Sequence, residues 1–276
     1  MVWWQALLLA IVQGVTELFP VSSLAHAVLL PMVLGWHWDQ GGETFLPFLV
    51  VLHLGTAAAL LLFFWQDWWA VLALLRPGQG SERGEGLRLL LLIALGTAPA
   101  ALIGLVFERQ LRGMFASGPE VAGFLMLNGV VLFWGDRLQR GATARDWRSL
   151  RWWEALLIGA AQALALLPGF SRSGCTMVAG RAVGLGIEAA AHYAFLLATP
   201  IILGAGLVEV PHLAHAPHSD VPGAALGAGL AAGMVAWAST AVLMRYFRRR
   251  EIHALLPFAG YCWIAGAAAL GYLLRR

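Results

Sequence analysis

The chain has 276 residues, 60% of them hydrophobic and only 12% charged, against about 25% charged in ordinary globular domains. Mean hydropathy is +0.74, and the acids and bases fall in short stretches between long apolar runs, which excludes a soluble domain. A transmembrane β-barrel is excluded too, because its segments of about ten residues alternate rather than run continuously apolar. The net charge of +3 comes from 18 basic residues, all arginine and mostly in loops. That is a signature of membrane topology and lipid head groups, and no nucleic-acid partner is expected.

Taken in chain order, Met1-Val2-Trp3-Trp4 lacks the basic region of a cleaved signal peptide and is expected to be retained. The apolar run 2–34 is too long for one span, and Pro20-Val-Ser-Ser23 breaks it in the middle. Spans of roughly the 20 residues needed to cross the hydrocarbon core then follow at 46–65, 87–106 and 119–135. A second broken run, 152–187, is interrupted by Pro168-Gly-Phe-Ser-Arg-Ser-Gly174, and three more spans follow at 188–209, 222–244 and 254–273. Each half of a broken run is too short to cross comfortably. Irregular backbone at membrane depth is tolerated only where it is buried in protein or lines a wet cavity. Both runs are therefore expected to be re-entrant hairpins with polar tips.

The expected fold is an all-α polytopic membrane protein, with about six transmembrane helices and two re-entrant hairpins in an inverted repeat. Trp4-Gln-Ala-Leu-Leu-Leu-Ala-Ile-Val-Gln13 aligns without gaps to Trp153-Glu-Ala-Leu-Leu-Ile-Gly-Ala-Ala-Gln162, and proline and serines follow in both. Residues 1–276 form one membrane domain, repeat 1 covering about 1–135 and repeat 2 about 151–276. Three spans separate the hairpins, and that odd number inverts the second relative to the first. Loops 66–86, 136–151 and 245–251 carry most of the arginines, whereas 210–221 has none. The first set is cytoplasmic by the positive-inside rule; Arg275 and Arg276 run against it. Two hairpins entering from opposite faces bring their tips together near the midplane.

The first tip holds Gln13, Glu17, Ser22, Ser23 and His26. Gln13 and Glu17, four apart, share a helix face. Ser23 is a natural N-cap for the next helix, with His26 about one turn in. Glu17, near a helix C-terminus and inside a bilayer, needs a cationic partner, a metal ion or a proton. The second tip offers the cation. Arg172 lies among Gly169, Ser171, Ser173 and Thr176, the composition of a phosphate cradle at a helix start, and a guanidinium suits bidentate phosphate contact.

Plainer readings stand beside these. Ser22, Gly169 and Gly174 also suit close helix packing, and a Glu–Arg pair can simply bridge helices. His37 and His53 are read as packing or interfacial. His212, His215 and His218, with Asp220, have a metal-type spacing broken by Pro211 and Pro217. Cys175 and Cys262 are packing residues. The tryptophans at 3, 4, 65, 68, 69, 152 and 153 form an interfacial belt.

Gln13-Gly-Val-Thr-Glu17-Leu-Phe-Pro20-Val-Ser-Ser23-Leu-Ala-His26, with Pro168-Gly-Phe-Ser-Arg-Ser-Gly-Cys-Thr176, resembles the bacitracin-resistance family of undecaprenyl-diphosphate phosphatases. Length and hydropathy agree along the whole chain. The resemblance implies hydrolysis of the lipid diphosphate to the monophosphate and inorganic phosphate, recycling the carrier for peptidoglycan synthesis. It also implies a multi-pass protein of the bacterial cytoplasmic membrane, with an active site facing the periplasmic or outer side and a divalent cation, magnesium or calcium, as cofactor.

Carried over residue by residue, Ser23 is the nucleophile and either His26 or Glu17 its base. Glu17, with Gln13, is the candidate cation ligand. Arg172, with Ser171, Ser173 and Thr176, holds the diphosphate, and Ser22 and Gly169 complete the substrate contacts. Gln13 stands where the family often has glutamate, which weakens a two-carboxylate metal site. The expected partners are the polyprenyl diphosphate and membrane lipid, with a homo-oligomer left open. The alternative is an inverted-repeat transporter or flippase that binds a phosphorylated lipid without cleaving it.

Overall fold

A computed structural model describes residues 2–36, 38–40, 44–74, 82–107, 114, 117–138, 145–214 and 221–275. Among them are eleven α-helices and no strand: α1 Trp3–Thr16, α2 Ser23–Val33, α3 Phe45–Phe63, α4 Trp65–Ala73, α5 Glu82–Val106, α6 Gly118–Gly135, α7 Trp152–Gln162, α8 Arg172–Ala182, α9 Ile187–Ala214, α10 Val221–Arg249 and α11 Leu256–Leu273. Their sequences leave little choice. Long Leu-, Ala- and Val-rich runs in an apolar solvent must satisfy their backbone groups internally, and a helix does so within one segment.

Among the described residues, six helices are long and apolar enough to cross a membrane: α3, α5, α6, α9, α10 and α11. They are the six spans expected from the sequence. The two broken runs are helix–turn–helix hairpins. α1 has 14 residues, about 21 Å at 1.5 Å per residue, against a hydrocarbon core of about 30 Å; α2, α7 and α8 are shorter, with 11 residues each. Each arm is thus shorter than the hydrocarbon core is thick, as the re-entrant expectation requires. α4 was not foreseen; it is a short helix at the end of α3 that leaves Trp65 and Trp69 exposed. The exposed Trp3, Trp4, Trp152 and Trp153 suit the expected interfacial belt.

Each hairpin is clamped to a long helix through a missing side chain. A Cβ at Gly14 of α1 would fall 2.6 Å from Ala232 O of α10, and one at Gly159 of α7 would fall 2.7 Å from Gly96 O of α5. α3 lies between α9 and α10, and α6 packs on α11.

The arginine-rich segments gather at one end of the bundle. Arg145 forks onto Glu154 at 2.9 and 3.0 Å, holding that carboxyl below its ordinary range chiefly through this bond. Arg148 and His192 flank Asp67 at 3.3 and 3.2 Å. Arg248 meets Glu188 at 2.9 Å, and Asp136 accepts from Leu255 N at 2.9 Å. His37, His215, His218 and Asp220 lie outside the described residues, as does the side chain of His212.

Candidate active site

The two hairpin tips meet. α1 ends at Thr16 with Glu17 as its C-cap, and the chain turns through Pro20 into α2. At the turn Ser22 has φ +66° and ψ +96°, a conformation that an L side chain adopts only at some cost. Two bonds hold it: Ser22 Oγ accepts from Ala25 N at 3.3 Å, and Ser22 O lies 2.7 Å from His26 Nδ1. The sequence reading had Ser23 as N-cap. The structure gives that place to Ser22, because only its side chain reaches back over the first turn, and Ser23 becomes the first helical residue with its hydroxyl free to face Glu17.

Glu17 is the hub. Ser23 Oγ donates to its Oε2 at 2.7 Å and Gln13 Nε2 donates to the same oxygen at 3.1 Å. Arg172 Nη2 approaches Oε1 at 3.0 Å and His53 Nε2 approaches Oε2 at 3.1 Å. The carboxylate is buried, so these partners supply the positive charge and hydrogen bonds that water would otherwise give. Arg172 is itself anchored, Nη1 donating to Ala194 O at 2.9 Å, while its Nε has no hydrogen-bond partner among the described residues.

A third element locks the tips together. Asn128 of α6, fully buried, donates from Nδ2 to Pro20 O at 3.0 Å and accepts from Ser171 N on Oδ1 at 3.0 Å. Ser173 Oγ adds a longer tip-to-tip contact to Glu17 O at 3.4 Å.

Above this floor lies a cavity of about 470 Å³, with Glu17, Ser22, Ser23, His53, Gln162, Ser171, Arg172 and Glu209 as its polar lining. The rest of the wall is apolar or small, mostly from the start of α3 (Leu46, Leu49), the end of α5 (Ala101, Leu105) and the second half of α9 (Ile201 to Val208), with Leu24, Leu166 and Phe170 from the hairpins. A polar floor under apolar walls suits an amphiphile with a charged head and a hydrocarbon tail.

Comparison with known proteins agrees. Residues 6–268 match the family described as Bacitracin resistance protein BacA. The chain belongs to this family. Its relatives include Undecaprenyl-diphosphatase 2 of Chromobacterium violaceum, 49% identical over 98% of both chains. Undecaprenyl-diphosphatase of Acidiphilium cryptum is 50% identical over 96% of both, and that of Granulibacter bethesdensis is 49% identical over 98% of this chain and 96% of its own.

Within this BacA-family chain, several expected site residues are placed differently from the sequence reading. Glu17, Ser22, Ser23, Ser171 and Arg172 line the cavity. His26 does not. Its Nδ1 is tied to Ser22 O and its Nε2 lies 2.6 Å from Tyr261 OH of α11, with the rings stacked, so it has no free nitrogen for Ser23. The histidine near Ser23 is His53, Nε2 at 3.5 Å, which the sequence reading took as packing. A usable signal existed, since an ionisable residue inside a span is a functional candidate by default; the partner 36 positions away gave none.

Thr176 turns back onto its own helix, donating to Arg172 O and Ser173 O. Gly169, at φ +134°, lets the turn press against Phe124 and Val121 of α6. Gln13 orients Glu17, and Ser173 bonds Ser171 Oγ at 3.1 Å. None of these four is in the cavity wall. Asn128 and Gln162 were missed as site residues, because a lone buried amide carries no spacing signal.

Proposed function

We propose that this chain hydrolyses undecaprenyl diphosphate to undecaprenyl phosphate and inorganic phosphate, working through a phosphoserine on Ser23. The observation that carries the reading is the Ser23 Oγ to Glu17 Oε2 contact of 2.7 Å, beside Arg172 on the other carboxylate oxygen, under an apolar cavity. A hydroxyl nucleophile needs an adjacent base and a cation to hold the phosphoryl group. A transporter site needs neither a nucleophile nor a base.

Arg172, in the cavity lining, takes the terminal phosphate with the Nη2 edge now on Glu17. Ser23 Oγ attacks the terminal phosphorus as its proton passes to Glu17, and the bridging oxygen leaves with the prenyl monophosphate. Water then attacks the phosphoserine; Glu17 returns its proton to Ser23 Oγ, one water proton stays on the phosphate and the other goes to solvent. His53 Nδ1 faces Leu49 O at 2.7 Å, a bond that fixes the ring beside Glu17 and presents Nε2 to the reacting groups.

The divalent cation implied by the family resemblance has no cage here. Glu17 is the lone carboxylate at the tips, both its oxygens are engaged, and Gln13 turns its amide nitrogen rather than its oxygen toward it. Among the described residues no three His, Cys, Asp or Glu side chains gather to hold a metal.

The cavity lies at the end where α3 starts and α5 and α9 finish, away from the arginine-rich end. With that end cytoplasmic, the site opens to the outer side of the bacterial cytoplasmic membrane. The hairpins are then re-entrant from opposite faces and the two halves form an inverted repeat. Ser23→Ala tests the chemistry. It should abolish phosphate release from purified protein while lipid binding stays within a few-fold, and Ser22→Ala should be milder. Substantial turnover by Ser23→Ala removes Ser23 as nucleophile.

A further inference from the structure

His53 is the one ionisable residue of α3. It belongs to the cavity lining, with its side chain 16% exposed. Both of its ring nitrogens face acceptors. Nδ1 is 2.7 Å from Leu49 O, and Nε2 is 3.1 Å from Glu17 Oε2. A backbone carbonyl and a carboxylate have no hydrogen to give, so each ring nitrogen has to bring its own. Glu17 is not itself the donor, because Ser23 Oγ, Gln13 Nε2 and Arg172 Nη2 already donate to its two oxygens. A neutral imidazole carries one N–H and an imidazolium two. The ring that satisfies both contacts is the imidazolium.

The same Nε2 lies 3.5 Å from Ser23 Oγ. That is long for a hydrogen bond to the hydroxyl, but it puts Nε2 within reach of an oxygen on a phosphorus joined to that Oγ. Arg172 holds the other oxygen of Glu17 at 3.0 Å, so one carboxylate stands between two cations under largely apolar walls. Glu209, the other acid of the lining, lies about 22 Å further along α9 than Ala194, where Arg172 is anchored. The tips therefore keep one positive charge in excess for an incoming phosphate, in surroundings where charge acts strongly. We propose that His53 acts in the reaction as an imidazolium, the second cation beside Arg172 on the phosphoryl group that Ser23 takes and releases.

The proposal rests on the phosphoserine reading above. As Ser23 Oγ attacks, its proton passes to Glu17, the bond from phosphorus to the bridging oxygen breaks and the Oγ–P bond forms. Glu17 is then neutral, so the Nε2–H of His53 loses its ionic partner and turns to a phosphoryl oxygen. Once water has cleaved the Oγ–P bond, Glu17 returns its proton to Ser23 and regains His53. His53 keeps both of its protons throughout. Two cations fixed in place thus meet negative charge where it develops.

His53→Gln discriminates this role from simple support of Glu17, because the amide can still donate to the carboxylate but carries no charge. Turnover of polyprenyl diphosphate is measured on the full-length protein in detergent, with inorganic phosphate as competitive inhibitor. In His53→Gln kcat should fall by about tenfold, as in His53→Ala, near the lower end of what a hydrogen bond to a charged group contributes. The inhibition constant of phosphate should rise by roughly fivefold or more. Wild-type turnover, or an unchanged phosphate constant, overturns the proposal. Should His53→Gln fail to fold, the unsubstituted protein carries the test. With its histidine rings labelled with nitrogen-15, NMR should show a ring with two protonated nitrogens that shifts when inorganic phosphate is added; finding no such ring overturns the proposal. Failure of the underlying reading looks different. Ser23→Ala would then turn over, and substrate labelled in its terminal phosphate would leave no label on the protein.

Discussion

The two hairpins are built from one sequence frame, yet they do opposite things. Both begin with tryptophan and reach a glutamine nine residues later, Gln13 in the first and Gln162 in the second. In the first, α1 runs on regularly and delivers Glu17 four residues past its glutamine. In the second, the helix gives way to a 3₁₀ turn at Ala163–Leu166, and the position four residues on is Leu166. The first tip therefore carries the acid and the hydroxyl, and the second carries the cation. Glu17 and Arg172 would each be expensive alone at membrane depth, and each becomes tolerable only when the other tip arrives. Two hairpins that meet tip to tip can thus divide a polar site between them, with neither tip carrying both charges by itself.

Replacing the cation should break this division most severely. Arg172→Lys keeps the charge but loses the fork that spans Glu17 and Ala194 O and, in the proposed mechanism, holds the phosphate. Activity should fall by about 10²- to 10³-fold, the range seen when a single transition-state donor is removed, with insertion and melting little changed. Near-normal turnover would make Arg172 a structural partner of Glu17 only.

Separating the tips without touching the charges is the next test. Asn128→Ala strands Pro20 O and Ser171 N, two buried backbone groups, each costing about 1–3 kcal/mol when left unpaired. A clear drop in melting temperature should accompany lost activity, measured by thermal denaturation in detergent. An unchanged melting curve would mean that the tips hold together without the amide.

The smallest effect sharpens the first tip alone. His53→Ala should lower kcat by about tenfold, because His53 Nε2 holds Glu17 at 3.1 Å and a hydrogen bond to a charged group is worth about 1.5–3 kcal/mol. His26→Ala should cost only a few-fold, through loosening of Ser22, and Tyr261→Phe less still. If His26→Ala proves the worse of the pair, the bond to Ser22 outweighs the cavity-facing imidazole.

Most of the fold was legible in the sequence, because hydropathy and proline placement are local. A run of about 20 apolar residues can only be a span, and a run broken by Pro20-Val-Ser-Ser23 or Pro168-Gly-Phe-Ser-Arg-Ser-Gly174 cannot be one. Glu17, Ser23 and Arg172 were legible for a related reason: a charge or a clustered hydroxyl in an apolar run has no cheap explanation. The sequence by itself thus determined six spans, two broken hairpins and an acid and a base in need of partners.

Tertiary structure alone decided which groups meet. His26, three residues from Ser23, is carried round the helix toward Tyr261, while His53, thirty residues away, arrives beside it on α3. Asn128 bonds a backbone group of each tip, Pro20 O and Ser171 N, and Gln162 bonds Gly96 O of α5. An amide in an apolar stretch looks the same whether it faces a packed neighbour or an open cavity. The difference lies in which helix is opposite, and long-range packing settles that rather than any spacing along the chain.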